Sequence, residues 1–152
     1  MHVHLLRHHA TSTNGAPQVV ATGFASLIFF MLVFPFAEIS IGGTLEPRIL
    51  LHLLRTDAGF NLFALALLLA PPLGILVAFG MRSAWRVGTM VVSLLALAAV
   101  PLTLITFGHG MRVRSPGLET VSPGVGSYVL ILGYCILAIA TGITAFRARH
   151  EP

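Results

Sequence analysis

Apolar positions divide the chain into four long runs. Val19–Ala37, Ala58–Gly80, Val87–Phe107 and Ser127–Phe146 contain no Asp, Glu, Lys or Arg. An α-helix needs about 20 apolar residues to cross a hydrocarbon core ~30 Å thick. In that medium each backbone N–H must find its partner within its own segment, so runs of this length predict helices. The period-two alternation of a membrane β-barrel is absent. The pattern therefore predicts an all-α integral membrane protein. Its four transmembrane helices form an antiparallel up-down bundle over residues 18–147. The first run is too long for the core of a secretory signal, and no small-x-small cleavage site follows it, so it is read as a retained span.

The polar stretches predict the rest. Residues 1–17 form a His-rich tail and 148–152 a short C-terminal one. Between the first two spans, Glu46–Thr56 reads as a short amphipathic helix lying in the membrane interface. Arg48, His52 and Arg55 recur at i, i+4 and i+7 on one face, with leucines and Ile49 largely elsewhere. Asp57 is then expected to cap the second span. The Gly- and Pro-rich stretch 108–126 reads as an irregular excursion. Pro35, Pro71, Pro72 and Pro101 each remove a backbone donor and are expected to kink their spans. Lipid tails are as apolar as leucine, so helix association rests on close packing. Ala66, Ala70, Gly74 and Ala78 place a small residue at every fourth position of the second span, and Ala138 and Gly142 repeat that spacing in the fourth. These are the expected helix contacts.

Composition narrows the function classes. Of 152 residues, 56% are hydrophobic and 9% charged, against about 25% charged in soluble domains. Mean hydropathy is +0.91. A soluble enzyme, a disordered tail and a disulfide scaffold are excluded. All nine basic residues are arginine, which rules out lysine Schiff-base and Walker-type chemistry. The arginines are scattered and form no patch for nucleic acid. They flank spans instead, as headgroup anchors. With both termini cytoplasmic, Arg7, Arg82, Arg86, Arg147 and Arg149 lie inside, and Arg48, Arg55, Arg112 and Arg114 outside. The short basic connection Met81–Arg86 favours this orientation. Arginine without lysine suggests a bacterial source and hence the inner membrane.

Candidate chemistry is sparse. The spans hold no ionisable group of the kind that marks proton pathways or voltage sensors. They hold no histidine for an axial haem ligand, so no cofactor is predicted. Glu38, Asp57, His52 and His109 fall on the outer margin, and imidazole and carboxylate are zinc or copper ligands. His2, His4, His8 and His9 form a histidine tract in the N-terminal tail, a second candidate metal site. Cys135 has no histidine at helical spacing, and Ser115 and Ser122 lack an acid partner, so no catalytic residue is assigned and no enzyme activity expected.

The layout is shared with several groups of small four-span proteins whose motifs are absent here. Claudin-like proteins carry a Trp and paired cysteines in the first outer loop, and small multidrug exporters place a glutamate within the first span. Ser122-Pro-Gly-Val-Gly-Ser-Tyr128 resembles the Pro-Gly-x-Gly-aromatic lead-in to the last span of bacterial membrane proteins of unknown role, a likeness of seven residues that implies no activity. The expected function is a non-catalytic accessory or structural subunit. Its partners are the lipid bilayer and other membrane subunits or further copies of itself. The alternatives are a small transporter or channel component with a Pro-broken second span, and a metal-binding membrane protein.

Overall fold

The computed structural model describes residues 15–56, 59–81, 84–114 and 117–150. Four α-helices carry the apolar runs: α1 (Gly15–Val33), α2 (Leu62–Gly80), α3 (Trp85–Arg114) and α4 (Val125–His150). All four are long and apolar enough to cross a membrane, as a polytopic membrane protein requires.

The helix limits correct the sequence pattern at three places. α1 ends at Val33 rather than Ala37. Pro35 has no N–H to continue the ladder, and the Phe36 N–H turns away to donate to the Arg48 carbonyl at 2.7 Å. Pro35 thus lies beyond α1 and does not kink it. Pro71, Pro72 and Pro101 do lie inside helices, which stay helical through them. α2 starts at Leu62, and its cap is Asn61, whose side chain accepts from the Phe63 and Ala64 N–H groups. Asp57, the expected cap, lies outside the described residues. α3 runs for 30 residues, about 45 Å at 1.5 Å per residue, so its C-terminal turns outreach the hydrocarbon core.

The expected amphipathic helix across 46–56 is not formed. Strand β1 (Ala37–Ile41) pairs antiparallel with β2 (Thr44–Arg48) through a two-residue turn, Gly42–Gly43. Both turn glycines have positive φ, 55° and 79°, as tight hairpins require. A single 3-10 turn follows at Leu50–Leu53. Its three-residue period stacks Leu50 and Leu53 on one side, and both are fully buried, beside α1 and α2. A small hairpin, β3 (Arg55–Thr56) with β4 (Gly59–Phe60), leads into α2. The stretch between α3 and α4 is ordered as well. β5 (Leu118–Pro123) pairs with the other edge of β1, giving the sheet order β2-β1-β5. Ala37 and Ile39 are buried, while Glu38 and Ser40 between them are half-exposed. By the pairing register, Glu38 and Ser40 share their face with Leu45, Pro47, Thr120 and Ser122.

Each helix packs on its neighbour in the chain, and α4 closes back on α1. A glycine receives a side chain at every one of these four contacts. A Cβ on Gly74 (α2) would lie 2.5 Å from the Phe24 ring (α1), and one on Gly88 (α3) 2.5 Å from Val77 (α2). One on Gly142 (α4) would lie 3.3 Å from the Met90 sulfur (α3). Between α1 and α4 the exchange is mutual: Gly23 faces Leu137, and Gly133 faces Leu27. The strands follow α1 and α3 and precede α2 and α4, so they share one end of the molecule, the sheet end. The α2–α3 connection marks the opposite, turn end.

Candidate functional site

Polar side chains inside the spans are few, and most bond their own helix. Thr89 donates to the Trp85 carbonyl at 2.7 Å, Ser93 to Thr89 at 2.8 Å, Thr103 to Ala99 at 2.7 Å and Thr141 to Leu137 at 2.6 Å. All four are buried. A hydroxyl bonded to the carbonyl one turn back has its proton engaged. These groups satisfy themselves within the core and present no donor to a substrate.

One polar cluster crosses between helices. Asn61 is 8% exposed. Its Oδ1 accepts from the Phe63 and Ala64 N–H groups at 3.1 and 3.2 Å, and the Thr106 hydroxyl, which donates to the Leu102 carbonyl at 2.8 Å, lies 3.3 Å away. Its Nδ2 donates to the Thr103 carbonyl at 3.4 Å. One side chain thus caps α2 and fastens it to α3. Nothing local in the sequence points to its partner Thr103, 42 residues away.

Among the described hydroxyls of the spans, that of Tyr134 departs from this satisfaction. Tyr134 is fully buried, and its hydroxyl has no hydrogen-bond partner. Nothing in the sequence pattern marks it, because an aromatic residue in an apolar span reads as core.

The metal candidates are not drawn together. Glu38 sits in β1, half-exposed. His52 is exposed on the 3-10 turn, and His109 is exposed on α3. His109 borders a shallow cavity of about 350 Å³ with Leu104, Ile105, Gly108 and Val121, none of them a metal ligand. Among the described residues no three His, Cys, Asp or Glu side chains form a group able to hold an ion. His2, His4, His8 and His9 lie outside the described residues, as does Asp57.

The small-residue ladder divides between two surfaces. Gly74 and Ala78 are buried, and Gly74 receives Phe24 within the chain. Ala66 and Ala70 instead line an apolar cleft of about 220 Å³ with Leu69 and Leu73 of α2 and Val92, Leu95, Ala96 and Ala99 of α3. Leu69, Leu73 and Leu95 are at least half-exposed, so the cleft opens on the outer surface of the helices. Ala138 is buried in α4, and Gly142 faces Met90.

At the turn end, the Arg86 guanidinium carbon stands 5.4 Å from the Trp85 ring centroid. Trp85 is buried, and the Arg86 Nε is closed to solvent with no acceptor. At the sheet end, Arg48 instead pairs with Glu46 at 2.6 Å. Comparison with protein-family models, curated proteins and solved structures gives no match.

Proposed function

We propose that the chain is a non-catalytic subunit of the membrane, an antiparallel up-down four-helix bundle that packs against another membrane protein through α2 and α3. The observation that carries this reading is the cleft between those helices. Its floor is alanine (Ala66, Ala70, Ala96 and Ala99), and leucines stand on its rims. Small residues let a partner's side chains approach a helix backbone closely, which is the main source of helix association in lipid. The engaged hydroxyls of the spans favour a packing role over transport or catalysis. In the cell the expected setting is a bacterial inner membrane with both termini cytoplasmic.

The test is co-purification in a gentle detergent with Ala66→Leu. Ala66 is exposed and lies in the cleft, so the larger side chain fills the surface without disturbing the internal contacts. The reading expects a stoichiometric membrane protein with the wild type and its loss with the variant. A partner retained by Ala66→Leu, or a wild-type chain that travels alone, overturns it. Gly74→Leu is unsuitable, because Gly74 faces Phe24 inside the chain.

A further inference from the structure

Charge is distributed unequally between the two ends. The sheet end carries Glu38 and Glu46 along with Arg48 and Arg55, and Arg48 is neutralised by Glu46. At the turn end the described charged side chains are Arg86, Arg147 and Arg149. Arg86 begins α3, and Arg147 and Arg149 end α4. Met90 meets Gly142 across the two helices. One turn further toward the turn end therefore brings Arg86 level with residues 146 and 147, because the helices run antiparallel. Three cations therefore lie at this end, with no described carboxylate there.

We propose that this end binds the phosphate group of an anionic phospholipid, with Arg86 as the central donor and the exposed Arg147 and Arg149 adding positive charge at the same level of the membrane. Depth selects the lipid over other anions. Trp85 opens a hydropathic span, so the guanidinium sits where the hydrocarbon gives way to headgroups, and phosphate is the abundant anion of that layer. Tryptophan favours the same level. The cation–π contact with the indole, 5.4 Å from the ring centroid, holds the guanidinium at this level. The Nε is enclosed without an acceptor, so the terminal nitrogens of this half-buried side chain are the donors left to meet a headgroup. A guanidinium fork matches two phosphate oxygens in geometry and charge. Basic pockets between transmembrane helices recognise lipid headgroups in this way.

The full chain is purified from bilayers mixing a zwitterionic and an anionic phospholipid, and the retained lipids are weighed by native mass spectrometry. The wild type should enrich the anionic lipid several-fold over its bulk share. Arg86→Gln should return the ratio to bulk, and Arg48→Gln at the sheet end should leave it enriched. If Arg86→Gln does not fold, the double variant Arg147→Gln/Arg149→Gln, at exposed positions, gives the same reading with at least a twofold fall expected. A wild-type ratio equal to bulk overturns the proposal, as does enrichment that survives these substitutions. Inorganic phosphate is added in a separate arm. Displacement of the lipid by free phosphate at low concentration would assign the site to a soluble anion and overturn the lipid source. Loss of an acidic protein partner in Arg86→Gln, with lipid ratios unchanged, also overturns it.

Discussion

Gly74→Ala tests whether the glycine sockets hold the helices in register. A Cβ at this position would stand 2.5 Å from Phe24 Cζ and 2.6 Å from both Cε atoms. Carbon atoms rest at about 3.5–4.0 Å, so the overlap is about 1 Å against three ring atoms together. Phe24 is fully buried and has no open space to turn into, so α1 and α2 must separate. Overpacking of this kind costs about 1–3 kcal/mol. Replacing a mid-helix glycine by alanine returns up to about 1 kcal/mol through backbone propensity. The expected net loss is about 1–2 kcal/mol, read as a shift in the midpoint of unfolding in mixed detergent micelles. A second background isolates the cause. In Phe24→Leu, which removes the ring, Gly74→Ala should be neutral or stabilising. The same loss in both backgrounds would show that the ring is not what the glycine accommodates, and the socket argument would fail with it.

Other substitutions probe separate parts of the structure. Tyr134→Phe removes a buried hydroxyl without a partner and is expected to raise stability by about 1 kcal/mol in the same unfolding assay; a loss would mean that the hydroxyl is bonded in the membrane. Asn61→Ala removes the α2 cap and the bond to α3 and should cost about 2 kcal/mol or more. Asn61→Asp keeps the cap acceptor but loses the Nδ2 donor, so it should fall between the two. Gly124→Ala would place a Cβ 2.5 Å from the Pro35 carbonyl oxygen. Backbone cannot turn aside as a side chain can, so hydrogen exchange should rise across β1 and β5, and unchanged protection would refute that junction.

The four spans are legible because lipid makes a simple demand: about 20 apolar residues with every backbone group paired internally. The sheet end departs from the apolar pattern for an equally physical reason. Apolarity runs on through Phe34-Pro35-Phe36-Ala37 after the helix has stopped, since these residues are buried or half-buried where α1 gives way to β1. The hairpin signal was present. Ala37-Glu38-Ile39-Ser40-Ile41 alternates strictly and is followed by Gly-Gly, the pattern of a strand entering a tight turn. The helical spacing of Arg48, His52 and Arg55 competed with it. That spacing has no packing consequence, because Arg48 belongs to β2 and His52 to the 3-10 turn. β5 was hidden because its partner β1 lies some eighty residues earlier, and pairing over such a distance leaves no local mark. Of the candidate sites, the alanine ladder was visible as spacing. Its division between an internal socket at Gly74 and an external cleft at Ala66 and Ala70 depends on which helix lies opposite.

The sockets also bear on how such a chain selects one arrangement. In water, burying leucine drives helices together even when the fit is poor. In lipid that drive is absent, so four uniformly apolar helices would slide and rotate with little cost. Here each of the four contacts pairs a side chain with a glycine: Phe24 with Gly74, Val77 with Gly88, Met90 with Gly142, and Leu27 and Leu137 with Gly133 and Gly23. A shift of one residue along any contact would set a Cβ where the glycine now admits a side chain. The sheet adds a constraint from outside the hydrocarbon. β1 leaves α1, and β5 leads from α3 into α4, so their pairing fixes the end of α1 against the start of α4. That is the contact between α1 and α4, the one helix pair of the ring that is not consecutive in the chain.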